Sequence, residues 1–142
     1  MINTDLLKEY FPEIVVNDDY IFAENNVIKI LSFLKLKNYV EFDMITQIIA
    51  TDYNDFIQLT YRLYSTASNE FLNVVTNVVN EADTAINLYK SAYYDECEIY
   101  DLLGVNFIGN DKLKRLYMPE SWVGHPLLKS YAQSDERLVW ND

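Results

Sequence analysis

The chain has 142 residues, half of them hydrophobic and 23% charged, which suits one globular domain with a sizeable core and excludes a disordered chain. A formal net charge of -11 argues against binding nucleic acid or an anionic lipid surface, since both would repel it. The single cysteine, Cys97, forms no internal disulfide, fits a reducing cytoplasm, and falls short of the roughly four thiolates that an iron–sulfur cluster takes.

In chain order, residues 1–11 carry acids and lack a basic stretch followed by an apolar run, so no signal peptide is expected. Thr4 is placed to cap a short helix through Leu6, Leu7 and Tyr10 that ends before Pro12. Glu13 to Val16 and Tyr20 to Phe22 read as short strands around the turn Asn17-Asp18-Asp19. Asn25 or Asn26 caps a second helix, whose apolar residues Val27, Ile30, Leu31 and Leu34 recur at helical spacing. Met44 to Tyr53, Phe56 to Tyr64 and Phe71 to Val79 then read as strands joined by polar turns, and short connections make them an antiparallel meander. A long helix capped by Asp83 or Thr84 should run to about Leu103, with Gly104 as its stop. Its apolar arc is wider than one sheet needs, which hints at a partner or at a tail wrapping over it. Its polar stripe is narrow: Asn87, Ser91, Asp95, Glu98 and Asp101. Beyond Gly104 the chain reads as loop, and the segment from Ala132 onward has no periodic pattern. One domain over 1–142 is expected, with about 1–104 as folded core and about 105–142 as extended loop and tail. No apolar run approaches the roughly 20 residues that span a bilayer, so any membrane attachment should come through another subunit.

Gly104, Gly109 and Gly124 form neither G-x-G-x-x-G nor a phosphate-binding loop. His125, the only histidine, suits a structural hydrogen bond better than catalysis or zinc binding. Cys97 lies within an apolar helical stripe between acids, which favours buried filler over a nucleophile. The acids Asp95, Glu96, Glu98 and Asp101 are the most unusual local feature. Like charges at three-residue spacing, nearing a helix C-terminus, cost a few tenths of a kcal/mol per pair. They read as a solvated face, as partners for Lys112, Lys114, Arg115 or a partner's cations, or as a carboxylate catalyst.

The stretch from Glu96 to Gly109, with Glu96, Glu98, Asp101, Gly104, Phe107 and Gly109 in place, resembles the signature of the 30 kDa-type subunit of NADH dehydrogenase, E-R-E-x-x-D-L-[FL]-G-[IV]-x-F-x-G. A basic, apolar segment follows at Lys114-Arg115-Leu116. Then P-x-x-W-x-G-x-P-L is matched by Pro119, Trp122, Gly124, His125, Pro126 and Leu127. Upstream, Asp52-Tyr53 and Tyr61-Arg62-Leu63-Tyr64-Ser65 resemble the family's paired strands. Departures are Cys97 for the family's arginine, Asn110 for its histidine, Leu128 for a basic residue and Tyr94 for a tryptophan. A short C-terminal end and the run Glu136-Arg137-Leu138-Val139-Trp140 resemble the short form found in energy-converting (Ech-type) membrane-bound [NiFe] hydrogenases.

The resemblance implies an α+β fold, a two-layer arrangement with a mixed or antiparallel sheet of about four strands, helices packed on it and an extended C-terminal tail. It implies a non-catalytic subunit of the peripheral arm of an ion-pumping redox complex on the cytoplasmic side of the membrane, with no cofactor of its own. The partners implied are a hydrogenase large subunit or 49 kDa-type subunit and neighbouring subunits, which hold the iron–sulfur clusters and the [NiFe] centre. The motif residues from Glu96 through Arg115 to Leu127 are the expected contact region. The equivalent subunit of an NADH-quinone or F420H2 dehydrogenase is the alternative, and a stand-alone acidic hydrolase using Glu96 and Glu98 is the third reading.

Overall fold

The computed structural model describes residues 2–36 and 41–132; the terminal Glu136 to Trp140 motif lies outside them. Three helices are present among the described residues, α1 (Thr4–Tyr10), α2 (Val27–Leu36) and α3 (Ala92–Leu103). Strands β1 (Val15–Val16), β2 (Tyr20–Phe22), β3 (Met44–Asp52), β4 (Ile57–Ser65) and β5 (Glu70–Val78) form one sheet, ordered β1-β2-β5-β4-β3. Strands β6 (Glu81–Asp83) and β7 (Asn106–Ile108) form a second, parallel pair. The fold is α+β, as expected, and the main sheet is mixed. The β3–β4–β5 meander is antiparallel, while β2 enters parallel to β5.

Alternation along β4 decides which face of the sheet is buried. Ile57, Leu59, Tyr61, Leu63 and Ser65 point inward, and their neighbours in between do not. Across the register, Ile48 opposite Tyr61 and Val74 opposite Tyr61 extend the same inner face. Leu7 from α1 and Ile30, Leu31 and Leu34 from α2 are fully buried within this core, joined by Phe107 of β7. The start of α1 is set by Asn3, whose side chain accepts the Leu6 N–H at 3.1 Å, so the cap falls one residue before Thr4.

The sequence reading of the third helix is corrected at its N-terminal end: α3 starts at Ala92, not at Asp83 or Thr84. Asp83 belongs to β6, paired with Ile108. The hydroxyl of Thr84 and the N–H of Ala85 both donate to the Glu96 carboxylate. With those groups committed, residues 85–91 fold into tight turns in which Leu88 and Tyr89 N–H bond the Ala85 carbonyl. The chain past Gly104 is likewise not all loop, since β7 follows at once and buries Val105 and Phe107.

Helix α3 packs on β3, the edge strand of the sheet. An open edge is a template for unwanted pairing, and here two side chains at or beside α3 blunt it. Asp95 accepts the Ile48 N–H at 2.9 Å, and the Ser91 hydroxyl donates to the Ile45 carbonyl at 3.2 Å. Replacing Asp95 by Ala should cost about 1 kcal/mol and speed hydrogen exchange of the Ile48 amide about fivefold; unchanged exchange at that amide would show that the bond does not guard the edge.

Candidate subunit-contact site

The motif acids split into two buried anchors and one exposed group. Glu96 is fully buried on the inner side of α3. Its oxygens accept from Thr84 Oγ1 (2.6 Å), Ala85 N (2.7 Å) and Asn110 Nδ2 (2.9 Å). All three donors are neutral. Burial therefore raises the Glu96 pKa above its ordinary value, with the hydrogen bonds offsetting part of the rise. This carboxylate joins three places in the chain: the end of β6, the middle of α3 and the residue pair that follows β7. Asn110, which departs from the family's histidine, serves as its donor.

Asp101 is also fully buried, and a cation meets it. Arg115 Nη1 lies 3.0 Å from Asp101 Oδ1, and the N–H groups of Leu116, Tyr117 and Met118 converge on Oδ2 at 3.1, 2.7 and 3.1 Å. The Asp101 carbonyl accepts from Arg115 Nη1 (3.2 Å) and lies 2.9 Å from His125 Nδ1. The other arm of the guanidinium, Nη2, donates to the carbonyls of Trp122 and Gly124, each at 3.0 Å. Burial alone would raise the Asp101 pKa, but the Tyr117 and Met118 N–H groups, the guanidinium and the Leu116 N–H outweigh it and hold the carboxyl below its ordinary value. A planar fork that reaches a carboxylate and two carbonyls together is a task for arginine, not lysine.

The end of α3 is matched to this arrangement. Gly104 has φ +74°, and a Cβ there would stand 2.7 Å from Cδ2 of His125. Glycine thus serves both the left-handed helix stop and the close approach of the imidazole. The Leu127 N–H then bonds the Leu102 carbonyl, and the Lys129 N–H bonds Asp52 Oδ2 at 2.8 Å, which ties the segment to β3. A cleft of about 380 Å³ lies beside it, lined among others by Asp52, Asp55, Gly104 and His125.

The loop shows several apolar side chains outward, beside the polar Glu120 and Ser121. Tyr117, Val123 and Leu127 are 66%, 81% and 60% exposed, and Tyr94 on α3 is 67% exposed. Pro119 and Gly109 are exposed as well, while Trp122, Gly124, His125, Pro126 and Arg115 are partly covered. Glu98 is the exposed acid of the motif, and Phe107 sits in the core. So Glu96, Asp101 and Phe107 are interior, and of these Asp101 is the one that bonds the loop. The solvated acidic face expected over Asp95, Glu98 and Asp101 is corrected: Asp101 is interior, Asp95 is half-buried, and only Glu98 faces water. The pairing with Arg115 was legible among the sequence alternatives. The roles of Thr84 and Asn110 were not, because neither carries a charge that would mark it as a partner. Glu96 and Glu98, one buried and one exposed, form no carboxylate pair.

Asp101→Asn should cost about 3 kcal/mol or more in urea unfolding, because Arg115 is left without its buried counter-charge. The sign with pH follows from the lowered pKa. The stability owed to Asp101 is full above its ordinary value near 3.8 and is lost as pH falls below it through the depressed folded value. The variant should lack that acid-dependent loss. Gly104→Ala should cost about 1–2 kcal/mol from the left-handed backbone alone, and displacement of the His125 ring should appear as a shift of its NMR resonances.

Residues 21–137 match the family described as the respiratory-chain NADH dehydrogenase, 30 Kd subunit. The C subunit of NADH-quinone oxidoreductase from Geobacter sulfurreducens is 32% identical over 132 residues, covering 88% of this chain and 78% of that protein. The C/D subunit of the same enzyme from Phocaeicola vulgatus is 31% identical over 106 residues, 71% of this chain and 20% of that protein. Another relative, from Beta trigyna, is named NADH dehydrogenase [ubiquinone] iron-sulfur protein 3 and is 32% identical over 83% of this chain and 61% of its own length. This chain has one cysteine, buried in α3. Among solved structures, a chain of the membrane-bound sulfane sulfur reductase, an archaeal respiratory membrane complex, superposes with a TM-score of 0.64 at 25% identity, covering 82% of this chain and 76% of that one. No helix among the described residues is long and apolar enough to cross a membrane. With the motif acids, the Gly104 stop and the loop of Arg115 all assembled as one unit, the chain belongs to the 30 kDa subunit family of respiratory-chain NADH dehydrogenase, a subunit of complex I-like respiratory complexes.

Proposed function

We propose that this chain is a non-catalytic structural subunit of the peripheral arm of a membrane-bound, ion-pumping redox complex. Its 115–127 loop docks on the large subunit of that complex, of the 49 kDa type or its hydrogenase counterpart. The observation that carries this reading is the buried Asp101–Arg115 pair, which fixes a loop that exposes the apolar Tyr117, Val123 and Leu127 beside the polar Glu120 and Ser121. A surface ordered before the partner arrives loses little entropy on binding, and exposed aromatic and aliphatic groups supply the apolar area of an interface. The relative from Phocaeicola vulgatus, whose name joins C and D in one protein, supports a neighbour of the D type.

An energy-converting [NiFe] hydrogenase is the complex favoured by the departures at Cys97 and Asn110 and by the run Glu136-Arg137-Leu138-Val139-Trp140. The equivalent subunit of an NADH-quinone or F420H2 dehydrogenase is the second reading, favoured by the 32% identity to the Geobacter protein. In either, the iron–sulfur clusters belong to partner subunits, as does the [NiFe] centre in the hydrogenase, and the chain lies on the cytoplasmic side, held to the membrane through them.

Affinity purification of the tagged chain from its native membranes, with mass spectrometry of what accompanies it, separates these readings. A [NiFe] large subunit selects the hydrogenase, and a flavin-binding NADH-oxidising subunit selects the dehydrogenase. Absence of any stable partner would sink the structural-subunit reading. Val123→Glu should reduce recovery of the large subunit at least tenfold while leaving the melting temperature of the isolated chain unchanged. Full recovery would remove the loop from the interface.

A further inference from the structure

The outer face of the five-stranded sheet, on the side away from the core, has a composition unlike the rest of the molecule. The register fixes which side chains share it. Val15 lies beside Phe22, Tyr20 beside Asn73, Met44 and Phe71 each beside Tyr64, and Ile49 beside Thr60. A sheet face left to water ordinarily alternates to polar residues and is rich in charge. Here Val15, Tyr20, Met44, Ile49 and Phe71 are 53%, 39%, 46%, 40% and 54% exposed. In a chain with 22 acidic residues, no outward strand position of this face is an Asp or Glu. Its one charged side chain is Arg62, near the middle of β4.

Arg62 is held by stacking. Its Cζ stands 4.7 Å from the Phe71 ring centroid, and that ring lies 4.7 Å from the ring of Tyr64. A guanidinium laid on an aromatic face keeps its edge donors free for a planar acceptor. Among the described residues no carboxylate pairs with it.

We infer that this face is a second docking surface, occupied by a different subunit of the same complex that presents apolar side chains and a carboxylate opposite Arg62. The inference rests on the structural-subunit reading above and adds a second contact, on the opposite side of the domain from its inner, helix-covered layer. Size supports it. Three nine-residue strands and two strands of two and three residues make a face on the order of 500 Å², a large part of the roughly 800 Å² per partner of an ordinary stable interface. Charge selects the occupant. A two-fold pairing with a second copy would bring Arg62 toward Arg62, whereas a partner with one acid opposite Arg62, apolar groups over Met44, Ile49 and Phe71, and polar groups toward Gln47, Gln58 and Asn77 matches the face. The exclusion of acids from this face, within a chain of net charge -11, also removes like-charge repulsion toward such a partner.

Hydroxyl-radical footprinting of the full chain, alone and within the complex purified from native membranes, tests both contacts at once. Oxidation of Met44 and Phe71 is expected to fall at least fivefold on assembly. If Tyr117 and Leu127 are protected while Met44 and Phe71 react as in the free chain, the second surface is overturned and the loop contact stands. If Met44 and Phe71 are protected and the loop is not, the second surface stands and the loop contact falls; if neither region is protected, both fall. Arg62→Glu, on a solvent-facing position, should cut recovery of assembled complex about tenfold at unchanged melting temperature, and full recovery would overturn the role of the guanidinium. Concentration-dependent dimerisation of the purified chain that Arg62→Glu abolishes would assign the face to a second copy instead and overturn the proposal.

Discussion

Asp101 carries a negative charge into the interior at the C-terminal end of α3, where the helix dipole disfavours it, and the chain beyond Gly104 is organised around satisfying that charge. The Arg115 guanidinium, three successive backbone N–H groups and the adjoining His125 contact all converge on this one residue. Exchanging such a buried pair for apolar groups is often neutral for stability, whereas breaking it is costly. Its use here is to select one conformation of a loop that has little regular structure of its own. With Asp101 ionised and Arg115 engaged, the carbonyls of Trp122 and Gly124 have fixed positions, and the apolar side chains around them point outward from a settled backbone.

Glu96 solves a related problem by other means on the same helix. Neutral donors from three places in the chain replace a cation, and the outcome for the proton is opposite. Burial raises the Glu96 carboxyl, so its ionised form weighs against the fold at neutral pH and protonation relieves that cost as pH falls through the raised value. Asp101, with its depressed value, supports the fold until the solution is more acidic than an ordinary aspartate requires. The two signature acids are therefore supports for the chain's own architecture. The geometry offers no paired carboxylates for acid–base chemistry, since Glu98 faces solvent while Glu96 faces the interior.

Asp101 and Arg115 hold the 115–127 loop in place, and the sheet carries an acid-free outer face on which apolar side chains are exposed among the described residues. The helices cover one face of the sheet, and α3 also protects the β3 edge through Asp95 and the adjoining Ser91. Two sides remain on which apolar groups face outward, the loop after Arg115 and the outer sheet face with Arg62.

Periodicity along the chain was enough to determine much of this protein. Strict alternation through β4, helical spacing in α2 and polar turns between β3, β4 and β5 follow from local sterics and burial, so the α+β class and the meander were legible. The ordered motif from Glu96 to Leu127 was enough to indicate the family. Tertiary structure alone decided where α3 begins, because residues 84–91 have a helical pattern that yields to the Glu96 carboxylate bonding Thr84 and Ala85. It also decided that β2 lies parallel to β5 and that β7 pairs with β6, since pairing between distant segments leaves no local mark. Above all it decided which acids are interior: Asp95, Glu98 and Asp101 look alike at three-residue spacing, and only the position of Arg115, brought back by the loop, draws Asp101 out of solvent.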